Sequence, residues 1–488
     1  MVKKIKEFLF ENRTASQTVA KNTVWLFISN FGGRLLKAVV IIYAARVLGA
    51  ADYGIFSYAV TLAGFVTLFM DPGVNGVLIR DIARASQKEK EVLFSNLFFL
   101  KAILLAIGVS VVIFIAPSFS TLPGAKALLP IVAFILTFDT LREFFVSLLR
   151  GIERMEWEAG IFILTNLGIV IFGFIFIMNT PTAASLGWGY AIGTALGSFA
   201  AIFVVRRQIS IQTSSISRKT IAPILSAAWP FAITGALGML LTNTDILIIS
   251  WMQSASAVGI YSAVIRVIQV LYLLPGILQL STIPLFARLA NKDDQKLRDG
   301  LERTLGLVFL ISIPISIGGV IVGTSLMNFI FGSAFSGGGL SFKILMVSML
   351  VDYPGTIIAA TIFTYGHQKS LIVSSAIGGI SNVIFDLLFI PHFGIAGSAV
   401  ATLIAQILSN SYLWYVMKKI NYFEVMPRLG KIAASAAFMA AACLILSLLG
   451  VNVVLNIALC VLLYFGLLKS FREPLVGAIV RIIKPSII

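Results

Sequence analysis

The placement of positive charge between apolar stretches constrains this chain more than anything else in its sequence. Fourteen stretches are long enough to cross a bilayer, since a helix of about 20 apolar residues spans the hydrocarbon core. They run roughly over 22–47, 54–79, 92–115, 127–149, 159–178, 183–205, 224–250, 258–287, 304–325, 341–364, 371–390, 395–416, 432–450 and 452–468. Of 37 Lys and Arg residues, 29 lie in every second gap, the two termini included, in a tally of 5, 4, 2, 4, 5, 1, 4 and 4. The intervening gaps hold only Lys126, and the other seven sit within or at the ends of spans. Positive charge beside a span resists translocation. The pattern predicts an all-α polytopic protein of the plasma membrane, with 14 transmembrane helices and both termini cytoplasmic.

Composition agrees: 58% of residues are apolar and 12% charged, whereas soluble domains average about 25% charged. The net charge of +16 raises nucleic acid as a partner, but the basic residues are spread over eight short segments without an aromatic-lined groove. Anionic lipid of the inner leaflet is the simpler partner, and no nucleic-acid role is predicted. The first apolar run is already of span length and lacks a small-residue cleavage site, so no cleavable signal is read. Residues 1–21 read as an amphipathic head, with Val2, Ile5, Phe8 and Leu9 among Lys3, Lys4 and Lys6; the tail, 469–488, reads likewise around Val476, Ile479 and Ile483. Cys443 and Cys460 fall in the last two spans at similar depth, as inert buried thiols. His367 and His392 stand in short loops with no ligand cluster, so no metal centre or cofactor is predicted.

The chain repeats itself once. Gly54-Ile55-Phe56-Ser57 opens the second span and Gly259-Ile260-Tyr261-Ser262 the eighth. Asp139 and Asp352 lie mid-way along spans four and ten; Asn166 and Asn382 match in spans five and eleven, and Pro181 and Pro391 precede spans six and twelve. Six spans return to the starting side, so two such copies are expected to form lobes related by a pseudo-twofold axis along the membrane normal. The expected organisation is an N-lobe over 22–205, a cytoplasmic linker over 206–222 containing Ser214, Ser215 and Ser217, a C-lobe over 223–416, and an unpaired helix pair over 432–468. Asp71-Pro72-Gly73, Pro275-Gly276, Pro284 and Pro354-Gly355 are candidate breaks, read either as hinges or ion sites or as packing kinks. Gly189, Gly193 and Gly197 recur every four residues in span six, a spacing for close helix contact.

Charges inside the membrane are costly, at about 2.5–3.5 kcal/mol for a basic residue at mid-helix. Arg34 and Lys37 share one face of span one, and Arg34 lies about 18 Å deep. Such a cation should meet a carboxylate or a hydrated cavity. Arg266 in span eight and Lys101 in span three lie nearer the interfaces. Asp139, Arg142 and Glu143 form a cluster on span four that an internal ion pair would explain. Asp71, Asp245, Asp352 and Asp386 have no local basic partner, so each is protonated, paired across helices, or in contact with water. These four and Asp139 are the candidates for ion coupling, to H+ or Na+. The candidate substrate contacts are Arg34, Lys37, Arg142 and Arg266. No phosphate-binding loop, zinc-protease motif or lipase motif is present, and no catalytic site is predicted.

Leu26 to Arg84, with Arg46-Val47-Leu48-Gly49, Asp52-Tyr53-Gly54, Gly73-Val74 and Arg80-Asp81-Ile82-Ala83-Arg84, resembles the opening of the polysaccharide-biosynthesis membrane proteins. Arg150-Gly151-Ile152-Glu153-Arg154-Met155 followed by Glu158-Ala159 adds to it. These are the O-antigen and capsule-type flippases of the multidrug, oligosaccharidyl-lipid and polysaccharide exporter superfamily. The resemblance implies two six-helix lobes in a V around a central cavity. It also implies transfer of a polyprenyl-diphosphate-linked oligosaccharide from the inner to the outer leaflet. In the related lipid II flippases cavity arginines come from helices one, two and eight; Arg34 and Arg266 match by helix, while span two here has no basic residue before Arg80. Spans thirteen and fourteen would supply an apolar groove for the lipid tail, and a polysaccharide polymerase and glycosyltransferases are implied partners.

Two other functions fit the same architecture. A cation-coupled multidrug exporter would favour an acidic, aromatic-lined cavity, which the membrane carboxylates allow and the midplane Arg and Lys oppose. A non-transporting scaffold of a polysaccharide-assembly complex would gain nothing from mid-membrane charge.

Overall fold

The computed structural model describes residues 15–209, 218–425 and 429–475. The amphipathic head around Val2 to Leu9, the linker serines Ser214, Ser215 and Ser217, and the tail residues Val476, Ile479 and Ile483 lie outside them. Among the described residues all regular structure is helical. Hydrocarbon offers no partner to a backbone N–H or C=O, so a spanning segment must satisfy its own, and a helix does.

The helices are α1 (Ala15–Met70), α2 (Val74–Ile82), α3 (Gln87–Ser110), α4 (Pro123–Gly151), α5 (Met155–Asn179), α6 (Ala183–Val205) and α7 (Arg218–Met252). They continue as α8 (Ala255–Leu271), α9 (Leu273–Leu289), α10 (Asp294–Phe331), α11 (Gly339–Thr364), α12 (Gln368–Ile420), α13 (Gly430–Leu448) and α14 (Val453–Ser470). Eleven described helices are long and apolar enough to cross a membrane. Two of those, Gly32–Met70 and Gln368–Ile420, each hold two of the expected spans, and α7 adds one more. The protein is thus a multi-pass membrane protein, and the described helices cover all fourteen expected spans.

Single glycines make the joints within the long helices. Gly49 (φ 72°) separates spans one and two in α1, and Gly394 (φ 55°) separates spans eleven and twelve in α12. At these angles a Cβ would crowd the backbone, so only glycine sits there without strain. Asp71-Pro72-Gly73 does break the chain, ending α1 at Met70, with Gly73 at φ 88° before α2. The break in span eight falls at Tyr272, ahead of Pro275, while Pro284 stays inside α9. Pro354 lies within an unbroken α11. The Pro354-Gly355 candidate therefore fits a packing kink, and a proline there costs one donor without ending the helix.

The chain divides into two compact units, one holding residues up to Met239 together with Gln253–Gly259, the other Leu240–Met252 and Ile260 onward. In the first unit Val74, Leu78, Phe94, Phe144, Leu148 and Ala201 belong to one buried cluster drawn from α2, α3, α4 and α6. The glycine stripe of α6 lies against α5: a Cβ on Gly189 would meet Gly173, one on Gly193 would meet Ile169, and one on Gly197 would meet Thr165. A reciprocal contact joins the start of span two to the start of α8. A Cβ on Gly54 would collide with the Ala255 carbonyl, and one on Gly259 with the Ala50 carbonyl. The repeat positions noted in the sequence thus touch each other. In the second unit α10, α13 and α14 share a cluster that includes Leu310, Val322, Met439, Cys443, Cys460 and Tyr464.

Candidate functional site

Several of the membrane cations are held by carboxylates. Arg34 is exposed and meets no carboxylate among the described residues, while its neighbour Gly33 packs on Phe162 and Asn166 of α5. Lys37, one turn on, is half-buried, with Nζ 4.9 Å from the centre of the Tyr190 ring on α6. Arg266 of α8 is half-buried and donates through Nη1 to Gln269 Oε1 at 3.0 Å. Arg34 and Lys37 belong to the first unit and Arg266 to the second.

Arg142 belongs with the held cations. It is 5% exposed, its guanidinium donates to Asp139 Oδ1 at 2.7 Å and Glu143 Oε1 at 3.0 Å, and it lies over the Phe162 ring. Arg150 continues the chain of charge, reaching Glu158 and, at 3.6 Å, Glu143. Lys21, fully buried, donates to Glu156 at 2.8 Å, and Arg154 reaches the other oxygen of that carboxylate. Asp71 also has a cation after all: Lys101 Nζ, fully buried on α3, stands 3.5 Å from Asp71 Oδ2. Asp71 Oδ1 accepts the Asn75 N–H at 3.1 Å and so ties down the start of α2. The pairing crosses helices, so sequence separation hid it.

A different arrangement surrounds Asp245 on α7 and Asp386 on α12. Both are buried, at 4% and 0% exposure. Asp245 Oδ2 accepts from the Tyr261 hydroxyl at 2.5 Å and from Thr402 Oγ1 at 3.0 Å. Asp386 lies beside Asp245 and Ser398, and Asn382 Nδ2 donates to Thr402 Oγ1 at 3.4 Å. Among the described residues no Lys or Arg reaches either carboxyl. Five oxygens here are buried with no donor: Asp245 Oδ1, both of Asp386, Asn382 Oδ1 and Ser398 Oγ. Leaving one polar group unsatisfied costs about 1–3 kcal/mol, and native proteins leave few. Two adjacent carboxyls cannot both stay ionised in a low dielectric without a proton or a cation between them. The donor set is all oxygen, which suits a hard cation.

Of the five carboxylates singled out in the sequence, the structure brings together only Asp245 and Asp386. Asp139 and Asp352, equivalent by repeat, do different work: Asp139 pairs with Arg142, and Asp352 accepts from Asn410 Nδ2 at 3.2 Å. Tyr261, Asn382, Ser398 and Thr402 complete the pair's surroundings and were not singled out as ligands. Their signal was present as spacing, with Asn382 and Asp386, and Ser398 and Thr402, four residues apart on their helices.

Beside α13 and α14 lies an apolar cavity of about 350 Å³, lined by residues that include Leu310, Pro314, Met346, Met439, Cys443 and Cys460. Both cysteines are free and buried. Asn456 joins the two helices by donating to the Cys443 carbonyl at 3.1 Å, and within α14 it accepts from Cys460 Sγ at 3.2 Å. No group of three metal-ligating side chains of the His, Cys, Asp or Glu type occurs among the described residues.

The family model described as polysaccharide biosynthesis protein matches residues 19–290. The probable low-salt glycan biosynthesis flippase Agl15 of Haloferax volcanii is 24% identical, over 83% of this chain and 86% of its own. A putative O-antigen transporter of Shigella flexneri is 21% identical, over 83% of this chain and 100% of its own. Among solved structures, the lipid II flippase MurJ in an inward closed conformation shares the fold, with a TM-score of 0.78 at 20% identity, covering 92% of this chain and 99% of that one. An inward-facing multidrug resistance MATE family transporter aligns less closely, at a TM-score of 0.60 and 14% identity, over 82% of this chain and 95% of that one.

Proposed function

The chain belongs to the polysaccharide biosynthesis protein family, a family of flippases rather than enzymes, and from that premise we propose that it turns a polyprenyl-diphosphate-linked oligosaccharide from the inner to the outer leaflet. A diphosphate carrying sugars cannot cross hydrocarbon unaided. Arg34, Lys37 and Arg266 would contact the diphosphate in a hydrated cavity, Arg through forked, charge-assisted hydrogen bonds. The observation that carries this reading is Arg34: a guanidinium in the middle of an apolar helix, exposed and meeting no carboxylate among the described residues. Arg142 is the exception among the four candidate cations, since Asp139 and Glu143 already engage its guanidinium. The prenyl tail would lie along α13 and α14, where the apolar cavity offers room. The protein would sit in the plasma membrane with both termini cytoplasmic, between glycosyltransferases that build the substrate and a polymerase that consumes it.

Transport would be coupled to a cation gradient through Asp245 and Asp386, with Asn382, Ser398 and Thr402 completing the oxygen set for sodium or, by sharing one proton between the carboxyls, for H+. Rocking of one lobe against the other would expose the head-group site to each side in turn. A multidrug exporter remains the second reading because a paired membrane carboxylate also suits cation antiport.

Deletion of the gene is the test. Lipid-linked oligosaccharide should accumulate on the inner leaflet and be cleared by the unaltered protein but not by Arg34→Ala. Unchanged lipid-linked oligosaccharide together with sensitivity to cationic drugs would favour the exporter.

A further inference from the structure

Beyond Gly394, α12 carries a polar residue every fourth position: Ser398, Thr402, Gln406 and Asn410. A spacing of four places them on one face, and all four are buried. Their polar ends meet other elements. Thr402 donates to Asp245 at 3.0 Å, Gln406 Nε2 to the Tyr272 hydroxyl at 3.1 Å, and Asn410 Nδ2 to Asp352 Oδ1 at 3.2 Å. Tyr272 in turn lies against Asp352. One helix face therefore links the Asp245–Asp386 pair to a second carboxyl, about 12 Å further along at 1.5 Å per residue.

The second cluster has the character of a site. Gln406 is 9% exposed, and its Oε1, on the same carboxamide that holds Tyr272, is buried without a donor. Asp352 is half-buried, unlike Asp386, which is fully buried. Among the described residues no Lys or Arg reaches Asp352, so its charge has no fixed counterpart. Asparagine, glutamine, tyrosine and threonine offer oxygens at each turn between the two acids, where a packing face would carry Leu or Ala.

We propose that Asp352, Gln406 and Tyr272 form a second oxygen site for the coupling ion, sodium, joined to the Asp245–Asp386 site by the polar face of α12. The partly open Asp352 is where the ion meets water; the sealed pair is where it is held. This rests on the reading of Asp245 and Asp386 as the coupling site, and the test separates the two.

The full chain in lipid nanodiscs is loaded with radioactive sodium, and both equilibrium binding and exchange with unlabelled sodium are followed. Asp352→Asn should leave equilibrium binding at the pair nearly unchanged while slowing exchange by at least about tenfold. Gln406→Met, which keeps the volume and removes Oε1, should slow it in the same direction, which keeps the test open if Asp352→Asn does not fold. Asp386→Asn should abolish the tightly held sodium and leave at most the weak binding at Asp352. Unchanged exchange in both Asp352→Asn and Gln406→Met overturns the second site alone. Tightly held sodium that survives Asp386→Asn, or is absent from the unaltered protein, overturns the coupling site and with it this inference.

Discussion

At the scale of single residues, what a membrane charge does is decided by what stands across from it. Lys101 and Asp71 illustrate a structural charge. Removing one partner of a buried pair costs about 3–5 kcal/mol because the other is stranded, whereas replacing both is often neutral. Asp71→Asn should therefore lower the thermal unfolding temperature clearly, and the double variant Asp71→Asn with Lys101→Met should recover most of it, neither changing the sodium dependence of transport. Loss of that dependence in Asp71→Asn would return Asp71 to the coupling candidates. Arg34 illustrates the other kind. If forked contact to a diphosphate matters, Arg34→Lys loses most activity despite keeping its charge; full activity would mean that charge alone suffices. The sequence showed which residues lay at membrane depth but not their partners. Asp71 and Lys101 are thirty positions apart, and Asp245 and Thr402 are 157 apart, so only the folded chain sorts held charges from those without a counterpart.

At the scale of helices, joints and caps set what can move. Gly49 holds φ 72° between spans one and two. Gly49→Ala should cost about 1–3 kcal/mol, the penalty for an L-residue in a backbone region that is essentially glycine's alone, read as a shift in thermal unfolding. Gly54→Val and Gly259→Val should each disrupt the reciprocal approach of span two and α8, seen as loss of crosslinking between Ala50→Cys and Ala255→Cys. At the start of α3, Ser86 and Glu89 form a capping box, with the Ser86 N–H donating to Glu89 at 2.7 Å. These bonds hold the Glu89 carboxyl below its ordinary value. Its folded value being depressed, the cap's contribution is complete above the ordinary glutamate range and fades as pH falls through the folded value. Amide exchange at residues 86–90 should thus quicken in acid in the unaltered protein and be pH-flat, after correction for intrinsic rates, in Glu89→Gln. The spans and most joints were legible because apolar length and glycine placement are local. Pro354 was open between a hinge and a packing kink, and its place inside an unbroken α11 fits the kink.

At the scale of the whole molecule, the chain is a flippase of the polysaccharide-biosynthesis family, and its polar atoms are distributed unevenly between its halves. The first unit pairs acids with Arg142, Arg150, Arg154, Lys21 and Lys101, and Arg34 meets no carboxylate among the described residues. The second gathers Asp245 and Asp386 with oxygens that lack donors. The proposed division is head-group contact by cations, with Arg34 foremost, and cation coupling in the second unit. The most direct measurement is the rate at which lipid-linked oligosaccharide crosses the bilayer of proteoliposomes containing the purified protein, compared with Arg34→Ala combined with Arg266→Ala. Hydrogen bonds to charged groups contribute about 1.5–3 kcal/mol, so the double variant, with sodium-dependent thermal stabilisation intact, should be at least about tenfold slower. Transfer at the unaltered rate would contradict the account, because the anionic head group would then cross without the cations proposed to carry it.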